Sequence, residues 1–179
     1  MTAALQKDKP HRKIKIAVIV FGLLVVATCT MIYLFSSQDA TQSTLTSGWF
    51  TDLIKKIIFP GFEDLPPEEK AELSGKLSLF VRKGAHFSEY LLLATFSFHF
   101  LVALPRPRTD LMCAFCALLF AAAFAMTDEY HQSFVPGRAM AAKDMLIDTL
   151  GALLGVFIAL RIHSFRKKRR ERSTEESEG

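Results

Sequence analysis

From Ile16 to Gln38 the chain carries no charged residue, and about twenty consecutive apolar residues suffice for an α-helix to cross a bilayer. Two more uncharged runs follow, Tyr90 to Pro105 and Leu111 to Thr127. A fourth, Thr149 to Leu160, reaches spanning length only when Asp144 and Asp148 are counted with it. The chain has 179 residues, half of them apolar and 16 of them phenylalanine, so its composition is that of one membrane-embedded domain. The fold class read from this is all-α: a polytopic membrane protein, a bundle of four transmembrane helices near 15–36, 84–104, 110–128 and 144–162.

Orientation follows from where the basic residues fall. Most of the 22 Lys and Arg lie in residues 1–15, 105–110 and 161–179. Lys7, Lys9, Arg12, Lys13 and Lys15 precede the first span, Arg106 and Arg108 form the short loop between the second and third, and Arg166 to Arg170 follow the fourth. The positive-inside rule places both termini in the cytoplasm. The expected organisation is a cytoplasmic basic segment (1–14), a membrane domain (15–162) and a cytoplasmic tail (163–179), basic and then acidic and disordered. A secretory signal peptide is the rival reading of the N-terminus, but signal cores run about 7–15 residues and this apolar run is longer. The basic run after the fourth span lacks aromatic interleaving and reads as a membrane anchor rather than a nucleic-acid patch.

Residues 39–83 form an external insert between the first and second spans, too long for a structureless connection. Leu45, Trp49, Phe50, Leu53, Ile54, Ile57 and Ile58 recur at helical spacing, which predicts an amphipathic helix on the outer leaflet with Trp49 near the headgroups. Pro60-Gly61 ends it, and Pro66-Pro67-Glu68-Glu69 begins another helix that runs on into the second span.

In this topology four polar groups meet on the extracytoplasmic side. They are Ser36-Ser37-Gln38, the stripe Lys83, His86, Glu89 and Tyr90, the run Asp128-Glu129-Tyr130-His131-Gln132, and Asp144 with Asp148. On a helix the Lys83 stripe, with Arg82, falls within an arc of about 120°. Asp144, Asp148, Gly151 and Gly155 share a second arc of about 60°. Gly151-x-x-x-Gly155 allows another backbone to approach closely, in this chain or in a second copy, and turns both aspartates inward. An aspartate facing lipid tails costs on the order of 3 kcal/mol, so Asp148 needs a partner: Lys83, His86 or Arg138. Pro136-Gly137 forms a tight turn before Arg138, whose guanidinium suits a carboxylate or phosphate. Cys29, Cys113 and Cys116 all lie in apolar runs, and without a second pair Cys113-Ala-Phe-Cys116 reads as core.

Together the Ser-Ser-Gln group, Arg82-Lys83-Gly84-Ala85-His86-Phe87-Ser88-Glu89-Tyr90, Asp128 to Gln132, Phe134 to Arg138 and Asp144 to Gly155 resemble, in order and spacing, the motifs of the VanZ-like family. The resemblance implies a bacterial multi-pass protein of the cytoplasmic membrane. Its founding member is an accessory determinant of resistance to the glycopeptide antibiotic teicoplanin. It carries over Lys83, His86, Glu89, Tyr90, Asp128, Glu129, Gln132, Arg138, Asp144 and Asp148 as family-like polar positions.

Two classes of function are open at this point. In the first, the outward site binds or modifies an amphipathic envelope molecule: a lipid-linked precursor, a lipid headgroup or a lipoglycopeptide. His86 with Glu89 or Asp128 would supply acid and base, while Lys83, Tyr90, Glu129, Gln132, Arg138, Asp144 and Asp148 hold the substrate. In the second, the polar network is architecture, and the protein is a scaffold or sequesters a ligand. No cofactor or metal is assigned. A zinc variant using His86-x-x-Glu89 with Glu129 and His131 lacks an HExxH or cysteine-rich motif.

Overall fold

Asp39 and Thr109 open two of the helices, each accepting a hydrogen bond from a backbone N–H three residues on, Gln42 at 2.8 Å and Met112 at 3.1 Å. The computed structural model describes residues 2–105, 108–138 and 141–178, with side chains from Ile16 to Glu176 apart from Ala40. The side chains of Lys7, Lys9, Arg12, Lys13 and Lys15, and the loop residue Arg106, lie outside the described residues. The elements are α1 (Thr2–Ser36), α2 (Ala40–Ile58), a 3-10 turn at Phe62–Asp64, α3 (Pro67–Ala103), α4 (Asp110–Gln132) and α5 (Ala142–Glu178). Among the described residues there is no strand.

Three segments are long and apolar enough to cross a membrane: Ile16–Ser36, Asp110–Gln132 and Ala142–Glu176. Only 11% of the most apolar window of the first is buried, so most of its side chains need an apolar surrounding from outside the chain. The membrane end of α3, read as a span from sequence, is not among the three. It packs against all four other helices. A helix enclosed on several sides can carry His86, Glu89 and His99 because its neighbours, rather than lipid, surround them.

Inside a bilayer the gain from removing apolar groups from water is absent, and helices associate through close packing and polar contacts. The core shows this. Ala117, Ala121 and Ala125 form a fully buried row on α4, and Ala152 and Ala159 do the same on α5. Gly151 and Gly155 bring the α5 backbone against α3, where an added Cβ would collide with the carbonyl oxygens of Phe87 and Leu91. The Thr95 hydroxyl donates across the same seam to the Gly155 carbonyl at 3.2 Å. The small-residue face that sequence alone leaves open to a second copy of the chain is therefore occupied by α3.

The insert's first helix leaves its apolar face uncovered by the rest of the chain. α2 packs on α3 through its hydroxyl-bearing side, with Ser43 and Thr51 buried and Ser47 partly so, while Leu45, Trp49, Phe50 and Ile57 are exposed. Serine and threonine satisfy themselves on the preceding turn, as Ser47 does on the Ser43 carbonyl (2.9 Å) and Thr51 on the Ser47 carbonyl (3.0 Å), so this face can pack without other partners. The tail differs from expectation. α5 continues helical to Glu178, with Ser173 donating to the Arg169 carbonyl at 3.0 Å. No glycine or proline interrupts it between Val156 and Glu178.

At the other end of the bundle Asp110 holds α5. Its carboxylate lies 3.6 Å from His163 Nε2 and 3.8 Å from Lys167 Nζ, and the His163 ring meets Phe98 edge-on at 5.8 Å.

The close approach of α5 to α3 sets a prediction. Gly155→Ala must push two backbones apart and lowers stability by about 1–3 kcal/mol. Gly75→Ala, where nothing lies within 4 Å, raises it by about 0.5–1 kcal/mol. Thermal unfolding of both variants in detergent checks the pair, and equal responses would contradict the close-approach account.

Candidate functional site

The polar residues of the four segments converge at one end of the bundle because α3 and α5 cross there with the stripes of both turned inward. Lys83 Nζ lies 2.5 Å from Asp144 Oδ1, and one turn deeper His86 Nδ1 lies 3.7 Å from Asp148 Oδ1. From α4, Asp128 Oδ2 accepts from Gln132 Nε2 at 3.1 Å, and Glu129 Oε2 accepts the backbone N–H of Ala141 at 2.9 Å. Ser37, just beyond α1, lies 3.1 Å from His131 Nε2, whose ring also packs on Tyr33. Gly137, at φ 76°, makes the turn that sequence predicts and delivers Arg138 to the same end.

These residues divide by whether a protein partner satisfies them. Lys83–Asp144, Asp128–Gln132, Glu129–Ala141 and Ser37–His131 are clasps between or beside helix ends. By contrast, His86 Nδ1, both oxygens of Asp148 and Arg138 Nε are buried and have no hydrogen-bond partner among the described residues. Buried polar groups are nearly always paired, and exceptions cluster where a ligand or reaction uses them. Asp148 is the extreme case, with a side chain 0% exposed.

Two cavities adjoin here and share Arg82, His86 and Arg138 as walls. One, of about 120 Å³, is polar and reaches Lys83, Asp144 and Asp148. The other, of about 140 Å³, is apolar, running between Phe35, Phe50, Val81 and Ala85 with Glu89 at its edge. Burial, and after it the like charge of Arg82, pull the Arg138 guanidinium below its usual value, against the opposing pull of Asp128, Glu129 and Asp39. Guanidinium is still charged at any ordinary pH, so two cations face one opening.

Of the sequence-derived site residues, Lys83, His86, Gln132, Arg138, Asp144 and Asp148 line the polar cavity, and Glu89 lines the apolar one. Asp128 lies behind His86, and Tyr90 is fully buried. His131 turns to Ser37, and Glu129 turns to the loop. The trio brought within mutual reach is His86, Asp128 and Asp148, whose nearest ligand atoms all lie within 4.8 Å of one another. The apolar cavity, with the contribution of α2 to it, is absent from the sequence reading. Its signal is the row Ser43, Ser47 and Thr51 at four-residue spacing, which marks a face that packs on a neighbouring helix.

The VanZ/LLP1 family model matches residues 20–163, a stretch that contains every residue of both cavities. The chain belongs to the VanZ/LLP1 family. No curated protein and no solved structure matches it. For this VanZ/LLP1 member the matched region includes α1 from Val20, the insert and the helix ends that form the site, and it stops before the basic part of α5.

The division into clasps and unpartnered groups predicts opposite stability effects. Glu129→Ala strands the Ala141 N–H and costs about 1–3 kcal/mol. Asp148→Asn replaces a buried carboxyl to which no described residue donates a hydrogen bond, and leaves the melting temperature unchanged or raised. Thermal melts of the two variants at equal detergent concentration decide between this and a uniformly structural network.

Proposed function

We propose that this VanZ/LLP1 member binds an amphipathic molecule of the bacterial cell envelope in the paired cavities, with its anionic group at Arg82 and Arg138 and its apolar part in the crevice between α2 and α3. The adjoining of a polar and an apolar cavity across Arg82, His86 and Arg138 is the observation that carries this reading. A water-soluble substrate has no use for the second cavity, and a plain acyl chain has none for the first. A lipid headgroup, a lipid-linked precursor and a lipoglycopeptide share the required chemistry: an anionic or polar head joined to hydrocarbon.

In this reading α3 is a fourth crossing, both termini are cytoplasmic and the site opens to the outer leaflet. The basic residues of α5 support that orientation, since Arg161 and Arg166 to Arg170 follow its apolar stretch. α5 is about 55 Å long at 1.5 Å per residue, so its basic end projects beyond a hydrocarbon core of about 30 Å. The exposed Trp49, Phe50 and Ile57 of α2 would then rest in the outer leaflet and carry amphiphiles to the crevice.

Chemistry on the bound molecule would use His86 with Glu89 or Asp128 as acid and base. Binding alone, by sequestration, would use the same cavities. The link to teicoplanin rests on the family resemblance.

Arg138→Lys keeps the charge but loses the planar fork, and weakens binding of a fluorescent anionic phospholipid to the detergent-solubilised protein by about tenfold or more, with unfolding unchanged. In a sensitive Gram-positive host, protection against teicoplanin by the wild type is expected to fall with Arg138→Lys at equal membrane abundance. Protection that follows abundance alone would favour the architectural alternative.

A further inference from the structure

We propose that His86, Asp128 and Asp148 form a divalent-cation site at the wall of the polar cavity, suited to Zn²⁺ or Mn²⁺. The three side chains come from α3, α4 and α5, and their nearest ligand atoms lie within 4.8 Å of one another. His86 Nδ1 and Asp148 Oδ1 are 3.7 Å apart. Ligands bound at about 2.1 Å stand about 3.4 Å apart around a tetrahedral ion and about 4.2 Å apart across an octahedral one. Side-chain adjustments of less than about 1 Å therefore close the trio on an ion, with no movement of the helices.

The independent sign of a ligand is Asp148. Its side chain is 0% exposed, it lines the cavity, and neither oxygen has a hydrogen-bond partner among the described residues. The facing nitrogen of His86 is unpartnered as well. Lys83, on the same cavity wall, is paired with Asp144. A cation between His86, Asp128 and Asp148 answers the open His86 nitrogen and the open Asp148 carboxylate together. Gln132 donates to Asp128 Oδ2 at 3.1 Å, an outer contact of the kind that holds metal-binding carboxylates in place. One imidazole with two carboxylates suits a borderline or moderately hard ion, and the absence of thiolate sets the site apart from a cysteine zinc centre.

This inference deepens the reading of the cavity as an anion site and rests on it. With His86 and Asp128 holding the ion, its open position faces the cavity shared with Arg82 and Arg138, where a phosphate or carboxylate oxygen of the amphiphile would complete the coordination. Glu89, at the edge of the apolar cavity, is then the group left to carry a proton.

Metal binding to the protein alone tests the site apart from any amphiphile. Full-length protein is stripped with chelator in detergent, titrated separately with Zn²⁺ and Mn²⁺, and assayed for bound metal and melting temperature. The expected result is one equivalent of at least one of these ions per chain and a rise in melting temperature. His86→Ala and Asp148→Asn should weaken binding by about 10–100-fold, while the exposed Glu72→Gln leaves it unchanged. Substoichiometric binding of both ions, or binding that survives both variants in folded protein, overturns the site. Anionic-lipid binding that depends on Arg138 but persists in metal-free protein would sink the cation proposal and leave the amphiphile reading standing. Stoichiometric metal with no lipid binding would do the reverse.

Discussion

The contact on which the site depends is the seam between α3 and α5. Gly151 and Gly155 let the α5 backbone lie against the carbonyls of Phe87 and Leu91. Because Asp148 shares their face of the helix, the same contact carries a fully buried carboxyl to the wall of the polar cavity, where no described residue donates a hydrogen bond to it. Such a group is costly unless something outside the immediate protein partners answers it. Closeness of packing and polarity of the site are thus one feature.

Around that seam the remaining polar residues do ordinary structural tasks. Lys83 and Asp144 tie α3 to α5 at the rim, Glu129 fixes the loop before α5, and Ser37 ties the end of α1 to His131. These clasps hold the helix ends in register while His86, Asp148 and Arg138 keep polar atoms without a hydrogen-bond partner among the described residues. Asp110 with His163 and Lys167 fastens the opposite end. The central helix α3, packed against every other helix, can then bear histidines and a glutamate that no lipid-facing helix would tolerate.

Much of this was legible in the chain because helical periodicity survives in a membrane. The arcs through Lys83, His86, Glu89 and Tyr90, and through Asp148, Gly151 and Gly155, follow from spacing alone, as does the turn at Gly137. Pairing was not legible. Whether Asp148 meets Lys83, His86 or Arg138 depends on the axial stagger of α3 against α5, which spacing within one helix does not encode. The partner of Gly-x-x-x-Gly was equally hidden, since a second copy and α3 present similar surfaces to it. The apolar cavity is not legible because it depends on how α2 docks its Ser43, Ser47 and Thr51 face on α3, which spacing within α2 does not encode. The helical tail was missed because charge-rich composition suggests disorder, whereas α5 is simply never interrupted.

We propose that the polar helix ends share the outer side of the membrane, where an envelope amphiphile can reach Arg138 and Asp148. The most direct test is labelling of intact cells with a membrane-impermeant maleimide, using chains in which Cys29, Cys113 and Cys116 are replaced by alanine. Ser133→Cys, exposed at the end of α4 beside the site, should label from outside, whereas Glu171→Cys on the projecting end of α5 should label only after permeabilisation. The opposite pattern would put the cavities in the cytoplasm and contradict the account.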